Sequence, residues 1–501
     1  MERMMKLTLS LFSVTFIVAL LVFAGCSSDD SPTDPNPDPN DTTGNNDTNT
    51  VQIDDKVRPI VFVHGTFEAA DVFTQLTQRF ALNGYNEGQL LAFDLEDYFS
   101  GADIDIEKMA TQVSARIDEL LSQSAETRID IVAHGSGANV VQHWLVNMNG
   151  TEKAAHVVYA GGSYDLTLTV EGDLTPGPCK YMTLRSNGAD ALQNGNTEYG
   201  VLAGASNEQF ADLDNLELLS HRDPFITMFT FLTGDAPTTT SMPNSRIGMT
   251  YELKGRLIDF IDNTPLAGAM VVPVKIRTLA SGEVQRQSSG SILTTDADGY
   301  FSFSDEVGPE QHLELLVRSA AQTHYDMHIY RQPWRANSHT ERLRILPRSA
   351  AGSDLLRNYT SSIRTGNYSV MLVMSQNRTL QYGRDEATVR RFDPAFDPLG
   401  EISVLTAANA PVPGAAGQYG NTSILTLLDY DQNGQDGSGP INASGLNNMV
   451  FNSYDCFLNA ETTGYQTQIE INGRTLGVNN YRSSGSSGSN NAGFNLIQFE
   501  Y

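Results

Sequence analysis

Ile129-Asp130-Ile131-Val132-Ala133-His134-Gly135-Ser136-Gly137-Ala138-Asn139-Val140-Val141 reads as a buried strand that turns sharply into a helix. Such turns follow the pattern small-x-nucleophile-x-small, because the central residue adopts a strained backbone and residues two positions away must not clash. Centring the pattern on Gly135 puts Ala133 and Gly137 at the flanks. Centring it on Ser136 puts His134 and Ala138 there, and an imidazole is hard to accommodate against the strand-to-helix crossing. The register therefore assigns the turn to Gly135, which tolerates positive φ without cost and carries no nucleophile.

Around this turn, short apolar runs alternate with helical ones. Strands are predicted over Pro59–Val63, Leu90–Phe93, His156–Ala160 and Cys179–Leu184. Helices are predicted over Val72–Leu82, Ile106–Ser122, the turn to Asn149, and Pro224–Leu232, the last begun by a Ser220-x-x-Asp223 capping pattern and stopped by Gly234. This alternation implies an α/β domain with a mostly parallel sheet covered on both faces, over residues 57–237. Beyond the Pro/Thr/Ser stretch from Ala236 to Ser245 the helical period disappears. Strands over Tyr251–Asp259, Ala269–Val274 and Tyr300–Phe303, with turns at Thr264–Leu266 and Asp296–Gly299, predict an all-β, sandwich-like domain over 249–346, and short strands among many Gly, Asn and Ser turns predict a second over 359–501.

Residues 1–25 read as a bacterial lipoprotein leader: Arg3 and Lys6, an apolar run from Leu7 to Phe23, then Phe23-Ala24-Gly25-Cys26. The expectation is a lipidated Cys26 that anchors an exported chain to a membrane, and Ser27 after it favours the outer membrane or cell surface. Residues 26–56, rich in Asp, Pro, Asn and Thr, form a tether. The 32 Lys and Arg against 59 Asp and Glu give a net charge of −27, which argues against nucleic acid or anionic lipid held by a basic patch. An exported protein could pair Cys179 with Cys456, but they fall in separate predicted domains, and the sequence leaves the pairing open.

Val61-Phe62-Val63-His64-Gly65-Thr66-Phe67 adds a His-Gly turn after the first long strand. With the strand-turn-helix and the segments below, the chain resembles α/β-hydrolase lipases of the bacterial and archaeal type that carry β-domains after the hydrolase domain. The resemblance implies an oxyanion hole made by the backbone N–H groups of Thr66 and Ser136, and Gly135 at the nucleophile position. Met182–Asp190 resembles the family's strand-Ser-x-x-Asp segment, which implies Asp190 as the acid, with Asp165 the lesser substitute. Counting back from Phe231-Leu232-Thr233-Gly234 puts Asn215 where the family has its histidine base. Without a serine hydroxyl no acyl-enzyme forms, and asparagine cannot take a proton near neutral pH. The expectation is a lipase or carboxylesterase relative impaired in catalysis that retains a lipid or acyl-ester ligand. Its rivals are an active esterase in which Ser136 serves as a displaced nucleophile with His221, and a non-catalytic scaffold or binding module.

No cofactor is required by this chemistry. Asp429-Tyr430-Asp431-Gln432-Asn433-Gly434-Gln435-Asp436 reads either as an acidic turn or as the start of a calcium loop, with oxygens of Asp429, Asp431 and Asn433 at alternate positions and Pro440 where an EF-hand has its glutamate. His134 reads as a packing residue, and His143, His156, His324, His328 and His339 have no metal-ligand spacing. Ser163–Pro178 reads either as a lid or as a plain loop.

Overall fold

A computed structural model describes residues 57–501 except 101–102, 162–176, 187–200, 243–249, 280, 289–290, 307–311, 333–336, 349–353, 364, 376, 407–420, 423, 438, 442–450, 484–492 and 500–501. The leader, Cys26 and the tether lie outside the described residues, as do Asp165, Asp190 and most of the Ser163–Pro178 segment. Among the described residues no helix is long and apolar enough to cross a membrane.

The first region is a six-stranded sheet of β1 (Ile60–Val63), β2 (Leu90–Ala92), β3 (Ile129–His134), β4 (Ala154–Ala160), β5 (Lys180–Arg185) and β6 (Ser206–Gln209), in the order β2-β1-β3-β4-β5-β6. Every neighbouring pair is parallel. Helices α1 (Thr74–Leu82), α2 (Ile106–Ser122), α3 (Gly137–Asn147) and α4 (Arg222–Thr233) cover it. The strand period of two sorts side chains between the faces. Val61, Val63, Ile131 and Ala133 pack with Met109, Val113, Val140 and Trp144 of α2 and α3. Ile60, Phe62, Val132 and Val158 pack with Leu76, Phe80, Phe225 and Phe229 of α1 and α4.

The helix ends differ in one detail from the sequence reading. The side chain of His221, rather than Ser220, caps α4 by accepting the Asp223 N–H, while Ser220 Oγ donates to the Asn377 carbonyl. Gly234 closes α4 at φ +79°, as the glycine after Thr233 suggests.

The remainder is rich in β-sheet. Thr250–Asp259, Tyr300–Glu306 and Ser338–Ile345 make a three-stranded sheet, and Pro398–Ser403, Ala387–Phe392, Gln466–Ile471 and Arg474–Asn479 a four-stranded one. A nine-stranded sheet runs through both predicted β regions: Met327–Arg331 pairs in parallel with Phe494–Phe499, which pairs in parallel with Met371–Ser375 on its other side. A shared core of Leu315, Ile329, Leu343, Leu372 and Leu496 follows from that pairing. Cys179 and Cys456 are both free thiols. Cys456 is fully buried.

Several segments of the β region bond to the α/β region, among them the strand Ser338–Ile345, Arg256, Asn263 and Asn377. Ser338–Ile345 presents alternate residues Thr340, Arg342 and Arg344 to the α/β region, as a strand period requires. Thr340 Oγ1 meets Thr74 Oγ1 at 2.8 Å, Arg342 Nε reaches Asp94 at 2.7 Å, and Arg344 Nη2 reaches Asp71 at 2.5 Å. Arg256 adds a second guanidinium on Asp94 at 3.1 Å. Burial would raise the Asp94 carboxyl, but Arg342 above all, with the Ala70 N–H and His64, holds it well below the usual carboxylate range.

Candidate functional site

The site lies where β1 and β3 end. Gly135 follows β3 with φ +53°, while Ser136 is helical at φ −67° and precedes the first residue of α3. A Cβ on Gly137 would stand 2.6 Å from the carbonyl oxygens of Val63 and His64, so α3 crosses the end of β1 too closely for any side chain there. A Cβ on Gly135 would meet nothing nearer than Gly65 Cα at 3.9 Å and Glu68 Oε1 at 4.0 Å. Room for a side chain therefore exists at the turn, and the sequence leaves it empty.

Facing this turn is the loop after β1. His64 is fully buried; Leu95 N–H donates to its Nε2 at 2.9 Å, which leaves Nδ1 to donate to the Gly65 carbonyl at 2.7 Å. Burial holds the ring neutral by lowering its pKa. Phe67 sits at φ +66°, a conformation costly for an aromatic residue, and the surroundings hold it there. Arg344 donates to its carbonyl at 3.3 Å, and Asn263 of the β region donates to the Glu68 carbonyl at 2.7 Å.

The polar groups of the loop are already engaged. Thr66 N–H donates to Ser136 Oγ at 2.7 Å, and the two hydroxyls lie 3.0 Å apart. Gly65 N–H donates to Glu68 Oε2 at 2.8 Å, and the same oxygen lies 2.9 Å from His134 Nδ1. The other ring nitrogen of His134 is 3.2 Å from the Asn215 carbonyl. Both neighbours of the ring are oxygen acceptors, the Glu68 carboxylate on one side and a backbone carbonyl on the other. Burial raises the Glu68 pKa, but His134 and the Gly65 N–H prevail and hold it below the ordinary range.

Of the residues that the sequence singles out, the structure brings Gly135, Ser136, Thr66 and Asn215 together. The Asn215 amide rests on Gly161, where an added Cβ would lie 2.8 Å from its Oδ1. Asp190 lies outside the described residues. His221 is exposed and occupied at the α4 cap, whereas Ser136 Oγ is occupied by Thr66. His134, read from sequence as packing, is a hydrogen-bonded part of the site. Glu68 carried no expectation at all; its signal was a lone carboxylate between Phe67 and the buried Ala69-Ala70, three residues after the His-Gly turn. Asp429, Asp431 and Asn433 form a separate loop in the β region.

A parallel sheet with helices on both faces, a His-Gly loop and a strand-turn-helix at its carboxyl edge define the α/β-hydrolase class. Residues 57–160 match the class 2 lipase family, which makes this stretch lipase-like. Among solved structures the chain is similar to a Bacillus licheniformis lipase, BlEst2. In the mature form the identity is 16% and the TM-score 0.28, covering 36% of this chain and 95% of that one. In the propeptide form the identity is 12% and the TM-score 0.29, covering 87% and 96%. It is also similar to the phospholipase PlaB from Legionella pneumophila, at 11% identity and TM-score 0.24, covering 57% and 93%.

Proposed function

We propose that this chain is a lipase-type protein that has lost ester cleavage and retains an acyl or lipid ligand without turning it over, held at a membrane surface by a lipidated Cys26. The supporting observation is the glycine at the turn: Gly135 has the positive φ of an elbow residue and no atom to attack a carbonyl. Asn215, where a base would stand, has a side-chain amide with no basic nitrogen, and it meets His134 through its backbone carbonyl. Ser136 Oγ accepts from Thr66 N–H as a substrate carbonyl oxygen would. A rotation of that side chain frees the N–H for a ligand, whereas Gly135 has no side chain to attack one. Asp190 is proposed to keep the acid position.

The test is hydrolysis of short- and long-chain acyl esters by the purified chain, with Ser136→Ala alongside. No turnover above background is the expected result. Turnover abolished by Ser136→Ala would overturn the reading in favour of an active esterase with a displaced nucleophile. Gly135→Ser combined with Asn215→His should give weak esterase activity, and a folded but inert double variant would count against the assigned positions. Binding is read separately, by displacement of a fluorescent fatty acid, and failure to bind one would leave a scaffold role. Palmitate labelling in cells, lost in Cys26→Ala, checks the anchor.

A further inference from the structure

The loop Asp429–Gln435 follows the strand Ile424–Leu428, whose parallel neighbour Phe451–Asp455 ends with Asp455 opposite Leu428. This brings in a carboxylate that the sequence pattern does not contain. The ligand oxygens of Asp429, Asp431 and Asp455 lie within 4.8 Å of one another. Two oxygens that share a calcium ion at about 2.4 Å are at most about 4.8 Å apart, so the three fit around one centre. Asp429 is only 1% exposed, and its Oδ1 is buried with no hydrogen-bond partner. Its Oδ2 accepts from Gly434 N–H at 3.1 Å, and Asp455 Oδ1 accepts from Tyr430 N–H at 2.9 Å. Among the described residues none of the three carboxylates has a cationic partner; Arg391, the nearby guanidinium, is taken by Asp436. An unpaired buried carboxylate oxygen beside two further carboxylates is costly unless a cation joins them.

We infer that Asp429, Asp431 and Asp455 bind a calcium ion; the Asn433 side-chain oxygen accepts from Gln435 N–H at 2.7 Å and its Nδ2 lies 2.6 Å from Asp431. The oxygen-only donor set suits a hard divalent cation, and an irregular set of carboxylates suits calcium over magnesium, which demands a tight octahedron. Asp455 stands in for the glutamate that Pro440 displaces. The ion would tie the ends of two adjacent strands, a structural role in the β region that is independent of the hydrolase-like site.

The experiment uses the full chain, stripped with EDTA and then titrated with calcium chloride or magnesium chloride. Calcium at a hundredfold excess over Kd is expected to raise Tm by about 3 °C or more. Terbium should give emission sensitised by the adjacent Tyr430 that calcium displaces. Asp431→Asn, at an exposed position where folding is not at stake, and Asp455→Asn should each lose both signals. Absence of a calcium effect on the wild-type chain, or the same effect in both variants, would overturn the assignment.

Discussion

Ser136 and Glu68 between them satisfy, from within the chain, the backbone N–H groups of Gly65 and Thr66. An N–H meant for a developing oxyanion is worth most when it is preorganised and empty. Here Thr66 N–H is engaged by a hydroxyl, and a Glu68 carboxylate oxygen lies 4.0 Å from where a residue-135 Cβ would stand. A negative charge at that place disfavours a second one, so Gly135→Ser on its own is expected to remain inactive even with a hydroxyl restored. Ser136→Ala removes the internal acceptor, leaving Thr66 N–H for a ligand carbonyl. Affinity for an acyl ligand should rise by up to about tenfold, the worth of one hydrogen bond; an unchanged affinity in the fluorescent displacement measurement would show that the ligand binds elsewhere.

At the scale of elements, the turn's two glycines are held by different forces. Gly135→Ala has space but forces an alanine into positive φ, at a cost of about 1–2 kcal/mol. Gly137→Ala drives a methyl into two backbone carbonyls and should cost more, about 2–4 kcal/mol, as read by urea denaturation. Equal costs would mean that α3 can slide along β1. The strand-turn-helix was legible because apolar runs and small residues encode it locally. The sixth strand, Ser206–Gln209, was not: Ser-Asn-Glu-Gln has no apolar alternation, and it is a strand because its backbone pairs with β5 at the sheet edge. Glu68 and Asp455 were invisible for a related reason. Their roles come from partners 66 residues away at His134 and from a neighbouring strand, and no periodicity reports such meetings.

Across the whole molecule, the contacts from Thr340, Arg342 and Arg344 make the β region part of the hydrolase-like fold rather than an appendage. Asp94→Asn would leave the buried Arg342 without its carboxylate, while Arg256 keeps Glu96, and a loss of about 3–5 kcal/mol is expected. Calorimetry would read that loss, and a change under 1 kcal/mol would mean that Arg342 finds another partner. Because the folded-state pKa of Asp94 is depressed, its contribution is complete above about pH 4 and disappears only as the pH falls through the lower, folded-state value. Acid unfolding of the wild-type chain should therefore include an Asp94-dependent component below pH 4 that the Asn variant lacks.

The position of Phe494–Phe499 between Met327–Arg331 and Met371–Ser375 sets an order of events during synthesis. Both flanking strands emerge well over a hundred residues earlier, and each presents an unsatisfied edge until the late strand arrives to be inserted between them. The large sheet is thus sealed from its middle, not from a border. A nascent chain interrupted before that strand would hold two open edges facing one gap, a form suited to recognition by holdases or to pairing with another chain in the same condition.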